Sequence, residues 1–153
     1  MKKITPFLWF DDQAEQAMRF YVSIFKDSKV LEVSPGPDGK PMSVRFELEG
    51  QELIGLNAGP QFKFTEAISL FVSCKDQAEV DDLWAKLSAG GAEGSCGWVK
   101  DRFGLWWQIV PRALGELMGD KDPVKAKRVV DAMLKMKKID VAGLKRAYDA
   151  GQS

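Results

Sequence analysis

Apolar and polar positions follow a strand-and-helix order through the first 58 residues. Residues 4–10 alternate between two apolar faces, which predicts a strand, and residues 12–25 have the spacing of an amphipathic helix. Glu49-Gly50 lies between two alternating runs and is typical of a hairpin turn. Three further strands are predicted at residues 30–33, 42–48 and 52–57, and alternation along the second of them places Val44, Phe46 and Leu48 inward. The predicted order of this segment is β-α-β-β-β.

The same order returns after a Gly-Pro loop at residues 58–62. An apolar run predicts a strand, and a helix with Val80, Leu83, Trp84 and Leu87 on one face follows it. The predicted strands are 68–74, 94–99 and 105–110, and the predicted helix is 76–88. This second segment therefore has the order β-α-β-β.

A repeated phrase supports duplication of one unit. The run from Ile4 to Glu15 matches the run from Ile68 to Glu79, and both end in Asp-Gln-Ala-Glu. In each copy the Asp precedes a helix, with a Glu three residues later, as in a capping box. Duplication predicts equivalent helix starts at Asp12 and Asp76, and it aligns Phe20 with Trp84.

The last part of the chain has a helical pattern. A short helix is predicted at 113–118, and Asp122-Pro123 should begin a helix that extends to about residue 138. A third helix should follow Asp140. We therefore predict one domain over residues 1–120, with modules at about 4–58 and 68–111. Residues 121–153 form a helical extension packed on that domain or on a dimer partner.

Composition excludes several kinds of site. The chain contains no histidine, which excludes imidazole catalysis and His-containing metal sites. Its two cysteines, Cys74 and Cys96, are too few and too far apart for a disulfide framework. We expect both to be reduced, and Cys96 to be the more reactive candidate but inert.

Charge and hydropathy bear on partners and location. Lys plus Arg equals Asp plus Glu at 22 each, although residues 121–153 hold an excess of basic side chains. We interpret that excess as a solvated helix face, and salt-sensitive nucleic-acid binding remains the alternative. No leader-like or membrane-spanning stretch is present in this sequence. We expect a cytoplasmic protein without a membrane or nucleic-acid partner.

Several motifs resemble those of a known family. The motifs around Phe20-Tyr21, Asn57-Ala58, Asp76-Gln77, Cys96-Gly97 and Trp107-Gln108 are similar to the PhnB-like branch of the vicinal oxygen chelate superfamily, which includes glyoxalase I and bleomycin-resistance proteins. This branch often carries the name 3-demethylubiquinone 3-methyltransferase. The resemblance implies an α+β fold with two glyoxalase-like βαβββ modules in tandem and a C-terminal helical extension.

The resemblance also implies where a metal would bind. Catalytic relatives form a U-shaped pocket to which each module contributes ligands from its first and last strands. Here those positions fall on Thr5 (or Pro6), Ser69 and Gln108, and the fourth lies within residues 53–57. None of these side chains is anionic or an imidazole, so we expect no metal and no cofactor. Methyl transfer is not supported either, because Gly90-Gly91 follows a helix, whereas nucleotide-binding glycines follow a strand.

These observations favour a metal-free module that binds a small molecule in an aromatic pocket. The alternative is an enzyme of the same superfamily with an atypical or lost metal site. We expect a flat, largely uncharged ligand and a homodimer, with Glu47, Glu49 and Glu52 on an exposed hairpin and Asp101 in a turn. The predicted ligand-binding residues are Thr5, Phe7, Trp9, Asn57, Ser69, Phe71, Trp106 and Gln108.

Overall fold

The computed structural model describes residues 2–150 and divides the chain into two compact units, with the boundary between Phe64 and Thr65. Both units are built from a four-stranded sheet and helices. In the first unit the elements are Phe7–Phe10 (β1), Ala14–Ile24 (α1), Ser28–Pro35 (β2), Pro41–Leu48 (β3) and Gln51–Asn57 (β4).

The first unit is a mixed sheet with α1 on one face. Its strand order is β1-β4-β3-β2, in which β1 and β4 are parallel and the other pairs are antiparallel. Alternation along β3 places Val44, Phe46 and Leu48 in the core, as predicted, where α1 buries Ala17 and Tyr21. The hairpin turn is also confirmed, because Glu49 and Gly50 both have positive φ.

The second unit repeats this arrangement. Its elements are Leu70–Cys74 (β5), Gln77–Ser88 (α2), Ala92–Glu93 (β6), Trp98–Lys100 (β7) and Trp106–Pro111 (β8). The strand order is β5-β8-β7-β6, again with one parallel pair, β5 and β8. The predicted stripe of α2 is buried and packs on the sheet against Val99, Trp107 and Ile109. Two βαβββ modules in tandem are therefore confirmed.

Three helices continue the second unit: Arg112–Met118 (α3), Pro123–Met133 (α4) and Val141–Asp149 (α5). Their buried side chains form a cluster with the end of β8, consisting of Val110, Leu114, Val129, Ile139 and Leu144. Asp122 caps α4 as predicted, because its side chain accepts from the Val124 amide, and Asp140 caps α5 by accepting from the Ala142 amide. The prediction that α4 extends to about residue 138 is wrong, because the helix ends near Leu134, and the Val124 and Leu134 side chains are exposed.

The two modules begin their helices differently, which contradicts one sequence prediction. The loop before α1 has three residues (11–13), and the loop before α2 has two (75–76). Asp76 is the N-cap of α2 and accepts a hydrogen bond from the Glu79 amide, but Asp12 is displaced by one residue and Gln13 takes the N-cap position of α1. The extra residue also changes the helix alignment, so that buried Tyr21, and not half-buried Phe20, corresponds to Trp84.

The predicted strand at 94–99 is wrong, because a turn interrupts it. Residues 94–97 connect the short strands β6 and β7, with positive φ at Cys96 and Gly97. The Cys96 and Gly97 amides donate to the carbonyls of Met136 and Lys137, both at 2.8 Å. Residues of the C-terminal helical extension therefore accept the hydrogen bonds of backbone amides that would pair with a neighbouring strand if the strand were continuous.

None of the helices within residues 2–150 is long and apolar enough to cross a bilayer.

Candidate functional site

The candidate site is the face of the second unit's sheet that lies opposite α2. Side chains alternate across a strand, so residues two apart on β5, β7 and β8 share this face. Register arranges them in two rows: Ser69, Trp106 and Lys100 in one, and Phe71, Gln108 and Trp98 in the next. These six residues are called the tryptophan face below.

Aromatic rings make up most of this face. Trp98 and Trp106 meet edge to face with their ring centroids 6.3 Å apart, and both remain partly exposed. Phe71 on the neighbouring strand is 61% exposed. Phe71 therefore offers an apolar surface that no described residue of its own unit covers.

Neutral hydrogen-bonding groups lie between the rings. The Gln108 amide nitrogen donates to the Ser69 hydroxyl oxygen at 3.0 Å. The Gln108 carbonyl oxygen and the Ser69 hydroxyl hydrogen are left to pair with a ligand, one as acceptor and one as donor. This arrangement can recognise a polar group on an otherwise flat molecule.

The first unit has an equivalent face with different chemistry. Phe7 lies opposite Ile54 in the parallel pair β1–β4, as Phe71 lies opposite Gln108 in β5–β8. Ile54 therefore occupies the last-strand position that the sequence left open among residues 53–57. By the same register, Arg45 and Glu52 occupy the places of Trp98 and Trp106. The ion-pair face is defined here as Phe7, Arg45, Glu47, Glu52 and Ile54.

Arg45 and Glu52 form a partly buried ion pair. The Arg45 Nε and Glu52 Oε1 atoms are 2.8 Å apart, yet the two atoms do not meet in hydrogen-bonding geometry, so this contact is electrostatic. Glu52 is only 7% exposed, which contradicts its predicted place on an exposed hairpin. Of the other two glutamates predicted there, Glu47 is half-buried and Glu49 is exposed. Glu52 points to the sheet face, where Arg45 and the backbone amide of Lys2 contact its carboxylate.

The structure groups most of the predicted site residues by module. Ser69, Phe71, Trp106 and Gln108 share the tryptophan face. In the first unit Phe7 and Trp9 share the face opposite α1, with Thr5 just before β1 on the same alternation. Trp9 donates to the Gly59 carbonyl at 2.9 Å and Thr5 to that of Lys2 at 3.2 Å, so their polar atoms already have partners.

Asn57 does not share that face. It pairs with Phe10 in the β1–β4 register, which directs it toward the α1 side of the sheet. Its carbonyl oxygen accepts from the Ala14 amide at 2.8 Å, and its nitrogen donates to the Pro41 carbonyl at 3.0 Å. Asn57 thus supplies the cap of α1 that the sequence assigned to Asp12. It also borders an open groove of about 840 Å³ that includes Asp12, Glu15 and Asp38.

Sequence reasoning missed two residues of the tryptophan face, Trp98 and Lys100. Strand alternation could have found both, because they flank buried Val99. The predicted strand at 94–99 ended at Val99, however, one residue before Lys100. Trp107, next to Trp106, points the other way and is buried.

Asp101 closes the turn behind this face, as predicted. Its carboxylate is buried and accepts from the amides of Phe103 and Leu105 and from the Trp107 indole, all within 3.0 Å. These bonds link the β7–β8 turn to the core. Asp101 therefore positions the strands that carry Lys100 and Trp106.

The two cysteines have different environments. Burial, with a smaller contribution from the Glu79 carboxylate, raises the pKa of the Cys74 thiol to about 12, so Cys74 stays protonated in the folded protein. Cys96 lies in the strained turn at 94–97 and is partly exposed. Neither thiol belongs to the tryptophan face.

Comparison with known proteins connects this geometry to a family. Residues 2–110 match the model of the family described as 3-demethylubiquinone-9 3-methyltransferase. The PhnB protein from Bacillus cereus, which carries the same family name, is 33% identical with a TM-score of 0.68, over 72% of this chain and 99% of that one. Comparison with curated proteins found no match.

More distant solved structures share the fold alone. A glyoxylase/bleomycin resistance protein/dioxygenase domain from Frankia is 17% identical, with a TM-score of 0.52 over 72% of this chain and 92% of that one. The fosfomycin resistance protein FosX from Listeria monocytogenes, solved with Mn(II) and sulfate, is 15% identical, with a TM-score of 0.52 over 70% of this chain and 90% of that one.

Proposed function

We propose that this protein is a metal-independent binding module for a small molecule with a flat aromatic part. The chain belongs to the PhnB-like family named 3-demethylubiquinone-9 3-methyltransferase, within the vicinal oxygen chelate superfamily. The observation that carries this proposal is the tryptophan face, on which Trp98, Trp106 and Phe71 surround the hydrogen-bonded pair of Gln108 and Ser69. Exposed rings with a few oriented polar groups are the usual composition of small-molecule sites.

The residues at the superfamily's metal positions do not fit a divalent cation. Thr5 and Ile54 offer one hydroxyl and one hydrocarbon group, while Ser69 and Gln108 offer neutral oxygens that are bonded to each other or shared with a ligand. Divalent cations rely on carboxylates, imidazoles or thiolates. Across residues 2–150, no three His, Cys, Asp or Glu side chains come together in a group able to hold a metal.

The local geometry also gives methyl transfer no support. A nucleoside cofactor would need a glycine-rich turn between a strand and a helix N-terminus. The strand-to-helix loops at residues 11–13 and 75–76 contain no glycine, and Gly90-Gly91 follows α2. In our proposal, the family name therefore indicates which proteins this chain is related to, and does not indicate that it transfers a methyl group.

Binding of a flat neutral probe tests the proposal. We expect naphthalene-2-carboxamide to bind, and Trp106→Ala to weaken binding about tenfold, because an aromatic contact is worth about 1 kcal/mol beyond its buried area. Phe20→Leu, on the half-buried side of α1, is the control and should leave the dissociation constant unchanged. Absence of binding, or equal loss in both variants, would contradict the proposal.

Metal analysis separates this proposal from an enzyme with an atypical metal site. Protein purified without chelators should contain no stoichiometric divalent ion, and chelation should not change probe binding. One bound ion per chain, lost together with binding, would favour the enzyme. The homodimer expected from the sequence stays a prediction, which sedimentation at micromolar concentration would examine.

A further inference from the structure

Lys100 places a positive charge on the tryptophan face. It lies directly opposite Trp106 in the β7–β8 register, and it is exposed. Directly opposite residues have Cβ atoms about 5 Å apart, so the ammonium group can extend over either row of the face. No acidic side chain within residues 2–150 forms an ion pair with Lys100.

The cations beside the ion-pair face form ion pairs within the first unit. Lys29 is 3.8 Å from Glu47, and Arg45 contacts both Glu32 and Glu52. Glu47 itself occupies the register position of Lys100. The two faces therefore differ in sign at one position, and only the tryptophan face leaves its charge available to a ligand.

Protection of a sheet edge does not explain Lys100. Lysines often occur on edge strands, where they discourage pairing with another chain. The edge strand of this sheet is β6, with Ala92 and Glu93, whereas Lys100 lies on the inner strand β7. Lys100 therefore lies at an inner position of the sheet beside two partly exposed indoles, where a ligand bound on the face can reach its charge.

We infer that the tryptophan face binds a planar aromatic carboxylate, with its ring against Trp98 and Trp106 and its carboxylate at Lys100. This inference rests on the proposed function and names the ligand class. The sequence favoured an uncharged ligand because none of the eight predicted binding residues is a cation, and an anion without a partner is costly to desolvate. Lys100 supplies that partner in the row of Ser69 and Trp106.

Matched neutral and anionic probes test the inference on the full chain. Naphthalene-2-carboxylate should bind about fivefold more tightly than naphthalene-2-carboxamide at low salt, the range that a partly exposed ion pair contributes. Lys100→Gln should abolish this preference by weakening carboxylate binding more than carboxamide binding, and 0.5 M salt should reduce the preference in the wild type. The control is Lys145→Gln on α5, another exposed lysine that forms no ion pair within residues 2–150.

The outcomes separate the two ideas. If the carboxamide binds but the carboxylate is not preferred, or Lys145→Gln removes the preference equally, the inference about Lys100 is wrong and the binding module stands. If neither probe binds, the proposed function and the inference are both wrong. A preference for the carboxylate that disappears in Lys100→Gln and persists in Lys145→Gln is the expected result.

Discussion

The two units place opposite chemistry on equivalent surfaces. On the ion-pair face, Arg45 and Glu52 approach within 2.8 Å. At the same two register positions of the tryptophan face, Trp98 and Trp106 pack with ring centroids 6.3 Å apart. The equivalent last-strand positions show the opposite contrast: apolar Ile54 lies among the charged side chains of the first unit, and polar Gln108 lies among the aromatic rings of the second.

This contrast shows which side of each sheet maintains the fold. The helix-facing sides agree closely: both bury alternating apolar residues under one helix, and both pair the first strand in parallel with the last. Burial against a helix fixes strand register, because a one-residue slip would expose the whole core set. The opposite side has no such constraint, so its residues could diverge and specialise.

The largest expected effect comes from dividing the ion pair. Arg45→Met should lower the free energy of unfolding by about 2 kcal/mol, because it leaves the buried Glu52 carboxylate without its cation. This effect is smaller than for a fully buried pair, because Arg45 is partly exposed and water screens its charge. Arg45→Met combined with Glu52→Leu should cost less than about 1 kcal/mol, since no buried charge is then left unpaired and Glu32, the other partner of Arg45, is exposed. Urea denaturation of the wild type, Arg45→Met, Glu52→Leu and the double variant measures the coupling.

Lys29→Met is the matched control, because its 3.8 Å pair with Glu47 joins more exposed groups. We expect a change of at most about 0.5 kcal/mol there. A double variant as unstable as the sum of its single substitutions would show that Arg45 and Glu52 are not coupled.

A smaller effect should distinguish the two helix starts. Asn57→Ala and Asp76→Ala should each cost about 1 kcal/mol, because each removes the side-chain acceptor at a helix N-terminus. Asp12→Ala should be nearly neutral, since Asp12 caps nothing in the described structure of α1. The same denaturation assay measures all three, and a loss in Asp12→Ala equal to that in Asp76→Ala would favour the cap assigned from the sequence.

The smallest effect concerns Cys74, which corresponds to Phe10 of the first unit. Its raised pKa means that the folded thiol keeps its proton while the unfolded thiol loses it near pH 9, so this stabilisation is complete below pH 9 and is lost between pH 9 and 12. Between pH 7.5 and 9.5 the wild type should lose up to about 1 kcal/mol more than Cys74→Ala. Parallel pH profiles for the two proteins would contradict this.

Local patterns in the sequence determined much of the fold. Alternation located β3 and its buried residues, helical spacing located the core stripe of α2, and Asp76 and Asp122 were assigned as caps. These features depend on residues a few positions apart, which interact in the same way wherever the segment lies. The repeat also predicted the tandem arrangement, although one extra loop residue changed the alignment of the two helices.

The candidate site depended more on long-range pairing. Only strand register shows that Ile54 corresponds to Gln108, and that Arg45 and Glu52 replace the two tryptophans. Lys100 was missed because its strand was predicted to end one residue earlier. Its true position depends on a turn whose amides bond to residues about 40 positions away.

By itself, then, the sequence determined the strands and helices, the inward faces and the family resemblance, because these follow from periodicity and short motifs. The tertiary structure alone decided that Asn57 caps α1, that Glu52 is buried beside Arg45, and that Lys100 joins Ser69 and Trp106 in one row. Each of these contacts joins strands or helices separated along the chain. Their partners are selected by packing and register, which no local pattern specifies.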